Sequence, residues 1–407
     1  MQGADVAGTG KPKLKGPNRE GPAAEKPEWV RPVTAGVMAA VVGFASSFAV
    51  VLEGLRAMGA TPGQAASGLL VLCLAMGGLG VLLSLRLKMP VSIAWSTPGA
   101  ALLAATAVPA GGFPAAVGAF LVAAGLVVVA GLWRPFGRLV AAIPGSLAGA
   151  MLAGVLLGLC LAPFKALGSL PMQALPIVLA WALMMRLNRL WAVPVALAVT
   201  IAVLVLGGGA PVTGGDLAPH LELVAPRFDL QTIVGVGLPL FLVTMASQNV
   251  PGLAVLQTNG YRPEPGPLFM ATGVFSALAA PFGGHAVNLA AITAALCAGP
   301  DAATDPRRRW LAAVVGGAGY IVIGAIATLA AAVAAAAPPV LIQAVAGLAL
   351  IGAFGNALTA ALAKPAEREA ALVTFLVTAS GLSVAGIGAA FWGLLAGGAL
   401  WLLLHRR

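Results

Sequence analysis

From residue 89 to residue 133 the chain carries no Asp, Glu, Lys or Arg. A run that long cannot build a water-facing surface, so it belongs in lipid or deep inside protein. One helical crossing of a ~30 Å hydrocarbon layer takes roughly 17–25 residues. The run is too long for one crossing and long enough for two, and residues 109–113 (PAGGF) supply the turn. The same argument gives segments at 33–58, 64–85, 144–163, 171–185 and 191–206, then at 230–258, 266–280, 281–297, 310–334, 339–362, 370–385 and 388–404. That makes fourteen transmembrane segments, seven on either side of a polar stretch at 207–227.

Composition enters as the check. The chain is 60% hydrophobic and 9% charged, which no soluble domain of this length sustains. Only 6% of residues are aromatic, and 53 glycines accompany alanine runs, which suits closely packed helices and not a barrel. The expected fold class is therefore an all-α polytopic membrane protein. A pI near 10.3 would fit nucleic acid binding, but the basic residues lie between apolar spans, where they act as topology signals. Residues 1–30 are rich in Gly, Pro and Lys, lack the apolar core of a signal peptide and read as a disordered basic cytoplasmic tail. Cys73, Cys160 and Cys297 sit in apolar runs as packing residues, so neither a disulfide nor a metal site is expected.

Walking the loops alternately tests the segment count. With the amino terminus in the cytoplasm, the outer side receives only Arg56, Lys165 and Arg227 of the 23 basic residues. Both termini then lie inside. An odd number of segments per half turns the second half upside down, so repeats at 31–206 and 229–407 should be inverted about a periplasmic linker at 207–228. Ala45, Ser46, Leu55, Gly59 and Pro62 match Ala246, Ser247, Leu256, Gly260 and Pro263 at one constant offset. A second alignment sets residues 95–101 (WSTPGAA) against 285–291 (HAVNLAA).

Two segments look broken. In 281–297 (PFGGHAVNLAAITAALC) a proline, two glycines, a histidine and an asparagine precede good helix sequence from Leu289. Irregular backbone at membrane depth is tolerated only in protein or beside a cavity. Residues 91–94 alternate as a strand would, Ser96 or Thr97 can cap a helix, and Pro98 fits its first turn. An ordinary helix start is the plainer alternative, but Pro98 lies ten residues past Lys88, deep in the span. Each crossing then reads as a short strand plus a half-helix, with Asn288 as the natural cap of the second. Two half-helix N-termini, each carrying about half a positive charge, would hold a small anion without a buried arginine.

The candidate contacts are Ser96, Thr97 and Gly99 at the first half-helix, with Asn288 and Leu289 at the second. Gln248 and Asn249 join them from the eighth segment, where they compete with a role as interhelical glue, as do Ser46 and Ser47 on the first. His285 is a candidate proton site or a core histidine. Glu53, three residues before Arg56, is a candidate proton carrier or an interfacial acid. No HExxH, CxxC, GxSxG or P-loop motif occurs, which speaks against an enzyme and leaves an ion gradient as the energy source. No cofactor is expected.

Six stretches carry a resemblance: AWSTPGAALL at 94–103, PLFLVTMASQNVPG at 239–252, PFGGHAVNLAAITAALCAGP at 281–300, DPRRRWLAA at 305–313, AGLALIG at 346–352 and VTASGLSVAGIGAAFWGLLAGG at 377–398. They resemble the benzoate/proton symporter family of bacterial inner membranes, over almost the whole chain after the tail. The resemblance implies the fold of uracil and sulfate transporters, with a core of segments 1–4 and 8–11 and a gate of segments 5–7 and 12–14. It also implies an aromatic carboxylate and H+ as cargo, alternating access, and a homodimer through the gate. In the nucleobase branch, glutamates on segments 8 and 10 bind substrate. Here those neighbourhoods hold Gln248, Asn249, His285 and Asn288 and no acid, which fits an anionic ligand. Phe48, Trp95 and segments 5 and 12 would enclose its ring. A nucleobase/proton symporter and an inorganic-anion transporter of the same fold are the alternatives.

Overall fold

The computed structural model describes residues 29–141, 143–206 and 218–405. Residues 1–28 of the tail expected at 1–30 and the first half of the linker lie outside the described residues, and Val30 already opens the first helix. Among those described, eight helices are long and apolar enough to cross a bilayer. They are nine if Pro306–Gly324 and Ala327–Ala336, bent by 56°, form one span. The remaining segments are two strand-plus-half-helix units and the shorter helices Pro171–Leu187, Arg368–Ala379 and Ala389–His405. Helix length alone therefore does not fix the count at fourteen.

The order of elements repeats. In the first half, Val30–Ala45 and Phe48–Ala57 are followed by Pro62–Leu87, strand β1 (Ile93–Trp95), half-helix Thr97–Ala104 and Gly112–Leu132. In the second, Leu230–Thr258 is followed by Pro265–Ala279, strand β2 (Val287–Leu289), half-helix Ile292–Ala298 and Trp310–Gly324. Both first spans end on a glycine with φ 89°, Gly59 and Gly260, the conformation a residue with a Cβ avoids. These two glycines sit at the offset of the first sequence alignment.

β1 and β2 pair antiparallel, with Ile93 opposite Leu289, Ala94 opposite Asn288 and Trp95 opposite Val287. The Ser96 amide donates to the Ala286 carbonyl at 3.0 Å, and the Ala290 amide donates to that of Ser92 at 2.9 Å. Each bond is the image of the other under an exchange of residue i with i + 194. A local twofold axis passes through the Ala94–Asn288 pair, as in any antiparallel ladder, and with the repeated order of elements on either side of it the fold is an inverted repeat. The second alignment, which paired Trp95 with His285, is corrected by four residues: the repeat partner of Trp95 is Leu289. Alanine and glycine match too cheaply in this composition to set the register.

Leu230–Thr258 stays continuous through two wide turns, Ile233–Gly237 and Met245–Asn249, each just ahead of a proline. Pro239 and Pro251 lack an N–H, so the residue before each reaches back five positions: Leu238 to the Ile233 carbonyl and Val250 to that of Met245. The segment expected at 370–385 stops at Ala379. Gly381, Ala385 and Gly386 have positive φ, and Val384 bridges Ile387 in a tight hairpin.

Helices Gly145–Ser169 and Pro339–Leu362 pack along their lengths, and with Pro171–Leu187, Ala192–Leu206, Arg368–Ala379 and Ala389–His405 they form the gate. A Cβ on Gly347 would lie 2.1 Å from the Leu159 carbonyl oxygen, so that approach requires glycine. The other helices form the core around the crossed strands. Arg134–Ala141, expected only as a loop, is a short helix joining core to gate, with Phe136 stacked on Phe241. The described part of the linker is laid onto the core: the Val224 amide donates to Pro281 at 2.7 Å and that of Arg227 to Pro114 at 2.9 Å. Basic ends assigned to one side also meet, as Arg31 donates to Thr304 and Lys88 covers the Trp310 ring.

Candidate functional site at the strand crossing

Extended backbone this deep needs a partner for every polar group, and the sequence supplies them one by one. Beyond the ladder, the Ser276 hydroxyl accepts from the Val287 amide at 2.8 Å and donates back to main-chain carbonyls. The Leu289 amide donates to Asn249 Oδ1 at 2.9 Å, and Asn288 Nδ2 donates to the Leu289 carbonyl at 2.9 Å. The Ser84 hydroxyl covers the Val91 carbonyl. Ser276 and Ser84 gave no signal in the sequence, since a lone serine in an apolar helix has many uses.

Ser96 is the cap of the first half-helix, its hydroxyl accepting from the Gly99 amide at 3.1 Å and from the Thr244 hydroxyl at 2.9 Å. The Gly99 amide is therefore committed to the cap. A Cβ on Gly99 would crowd the cap itself, lying 2.7 Å from Ser96 Oγ and 2.6 Å from Leu240 Cδ1. Thr97 is half-buried, and its hydroxyl has no partner among the described residues. As the first helical residue, it has no preceding turn to receive its amide.

Asn288 is not a cap. It lies in the middle of β2, fully buried, and the second half-helix begins at Ile292 behind an Ala291 cap. Asn-Leu-Ala-Ala prolongs the strand because Asn249 and Ser92 satisfy its amides, which local propensity does not reveal. Asn288 Oδ1 has no donor among the described residues. His285, 1% exposed, places Nε2 at 2.9 Å from the Ser96 carbonyl oxygen, an acceptor only, so Nε2 carries the hydrogen. Its ring meets Phe120 edge-on at 6.4 Å. The far end of the half-helix Ile292–Ala298 is held by Arg309, a buried guanidinium donating to the Ala298 carbonyl at 2.8 Å and to Ala303 at 2.9 Å. Arginine at a helix C-terminus complements the dipole. In the sequence it was indistinguishable from a topology signal.

Asn249 faces β2, while its neighbour Gln248 is half-buried and bonded to nothing among the described residues. Ser46 and Ser47 both donate to the Gly43 carbonyl where the first span breaks, and Trp95 Nε1 donates to the Ser47 hydroxyl at 2.9 Å. Phe44 stacks on Phe48 at 5.2 Å and tilts against Trp95, so these aromatics fill one another. Glu53 lies apart from the crossing. Its carboxylate accepts from Gln343 of the gate at 2.7 Å, while Arg56 turns to the Ala331 and Ala334 carbonyls. The fold thus gathers Ser96, Thr97, Gly99, Asn249, His285, Asn288 and Leu289 around one crossing and leaves Glu53 at the core–gate boundary.

The sequence pattern of the benzoate membrane transport protein family matches residues 28–403. Inner membrane protein YdcO of Escherichia coli (strain K12) is 41% identical over 372 residues, spanning 91% of this chain and 95% of that protein. The benzoate membrane transport protein of Acinetobacter baylyi is 30% identical over 377 residues, with 91% and 95% covered. Among solved structures, the transmembrane domain of the cyanobacterial bicarbonate transporter BicA superposes with a TM-score of 0.56 at 15% identity, over 93% of this chain and 98% of that one. SLC26A9 gives 0.61 at 13% identity, over 91% and 65%.

Proposed function

The chain belongs to the benzoate membrane transport protein family, and on that premise we propose that it imports benzoate, or a closely related aromatic carboxylate, with protons across the bacterial inner membrane by alternating access. Its class is plain: a multi-pass membrane transporter with the inverted-repeat fold, not an enzyme. The observation that carries the substrate reading is the strand crossing. It fixes a serine-capped half-helix N-terminus inside the membrane, and no lysine or arginine bonds to that end among the described residues.

Such an N-terminus attracts a carboxylate with about half a unit charge. Thr97 and Gln248 supply free donors, and Asn288 offers an amide that reaches the crossing from the other repeat. Ser96, Asn249, His285 and Leu289 hold the frame through the bonds described above, and Gly99 lets Leu240 close on it. Movement of the core against the gate would open this frame to each side in turn. Proton entry with a monoanion is electroneutral, so a pH gradient would drive uptake. The inner-membrane location of the Escherichia coli relative and the segregation of basic residues to one side support an inner-membrane protein with cytoplasmic termini. A gate-to-gate homodimer belongs to the same proposal.

Labelled benzoate uptake into proteoliposomes tests it. An acidic exterior should accelerate accumulation, and its failure to do so would remove symport. His285→Ala and Glu53→Gln separate the two proton candidates: the carrier's variant should lose pH-driven accumulation while keeping exchange. Uracil or sulfate outcompeting benzoate would favour the two other transporter classes of this fold.

A further inference from the structure

A crevice of about 520 Å³ opens away from the strand crossing, at the other end of the half-helix Thr97–Ala104. One wall belongs to the core: Ala105 and Thr106 just past that half-helix, and Gln231 and Gly235 at the start of Leu230–Thr258. The facing wall belongs to the gate, with Gly154 and Gly158 one helical turn apart on Gly145–Ser169. The hairpin after Ala379 roofs it, tied to the core by a bond from Gln231 Nε2 to the Ala385 carbonyl. The mouth lies opposite the end where Arg31 meets Thr304 and Lys88 meets Trp310. By the positive-inside rule it opens outward.

Among the described residues, no side chain lining the crevice is charged. Its polar groups are hydroxyls, one amide and main chain, and its gate wall sets the open backbone of Gly158, where a Cβ would meet no atom within 4 Å, among Val155, Thr378 and Ala389. A strongly hydrated inorganic anion would have to shed water there with no cation to replace it. A flat aromatic acid loses little by laying its ring on that open glycine backbone while its carboxylate stays wet at the mouth. The volume is within the roughly 300–1,000 Å³ typical of small-molecule sites.

We propose that this crevice is a docking vestibule in which an aromatic carboxylate is held, ring against the open Gly158 backbone, before it passes to the strand crossing, and that its uncharged walls exclude inorganic anions. The proposal rests on the function proposed above and adds a second, earlier site at which selectivity is exerted.

Gly158 offers a probe, because a Cβ there has no atom within 4 Å and so disturbs no packing. Gly158→Cys is labelled with a membrane-impermeant thiol reagent in intact cells, with the parent chain, whose three cysteines are buried, as background. Ala105→Cys repeats the measurement from the core wall. The expected result is labelling from outside, slowed at least threefold by benzoate and unchanged by equal sulfate. Labelling only in inverted vesicles, no effect of benzoate, or equal protection by sulfate overturns the vestibule. Benzoate uptake by the parent chain is measured alongside. Uptake without protection refutes the vestibule alone, whereas absent uptake with protection by another solute refutes the proposed substrate. Gly158→Leu, which fills the crevice, should cut uptake tenfold or more with the yield of folded protein unchanged, and normal uptake would count against the vestibule.

Discussion

Asn249 and Gln248 are adjacent in sequence, equally polar, and predicted to fail in opposite ways. Asn249 Oδ1 is the acceptor for the Leu289 amide at 2.9 Å, and both residues are at most 1% exposed. Asn249→Ala leaves that N–H without a partner where no solvent reaches, at a cost of about 1–3 kcal/mol. For a cooperative unit of roughly 150–250 residues, each kcal/mol lowers the melting point by about 2–4 °C, so a fall of about 2–12 °C is expected. Gln248→Ala breaks no protein bond, and its melting point should stay within about 1 °C of the parent. If its amide meets the carboxylate, losing a bond to a charged group worth about 1.5–3 kcal/mol raises the KM for benzoate roughly tenfold or more. Purified variants in detergent supply the melting points, and proteoliposome uptake supplies KM. Asn249→Ala with parental stability and a raised KM would refute the division into frame and contact residues.

Three further outcomes follow from the geometry. Gly347→Leu should abolish folded protein, because its Cβ would sit 2.1 Å from the Leu159 oxygen, whereas Gly355→Leu on the same helix, with no atom within 4 Å, should express normally; equal yields would contradict the packing. Bonds from the Thr232 hydroxyl at 2.6 Å and its amide at 2.8 Å hold the Asp229 carboxyl below its ordinary value. Its stabilising effect is then complete above the unfolded value near ~3.9 and lost as pH falls through the lowered one, so Asp229→Asn should flatten the melting curve's dependence on pH below about 4. Ser276→Ala strips the Val287 amide of its acceptor and should lower the melting point, while Ser276→Thr, which keeps the hydroxyl, should recover most of the loss; a neutral alanine variant would mean β2 holds without it.

The gross architecture was legible because uncharged runs and basic punctuation report on the bilayer directly, without reference to tertiary contacts. The break at 281–297 was legible for the same reason: Pro-Phe-Gly-Gly has no business in a lipid-facing helix. What the sequence hid was partnership. Whether Asn288 caps a helix or sits in a strand depends on Asn249, some forty residues earlier, and on Ser92, in the other repeat. Arg309 and Gln343 likewise acquire roles only from what the fold brings to them. The register of the second repeat was misjudged because small residues match by chance, and only main-chain bonds could correct it.

The pairing of β1 with β2 also sets an order of assembly. A strand three residues long and half-helices of eight and seven residues fall far short of a membrane crossing, so neither unit can insert as an independent span. Each must be carried in by its neighbours. While the second half is still on the ribosome, the amide of Ser96 and the carbonyl of Ser92 have no partners, at a cost of several kcal/mol for each such group in lipid. The first half is therefore an incomplete product that matures only when the last third of the chain arrives. A chain divided within the linker should yield stable protein when both pieces are made together and neither when they are made apart.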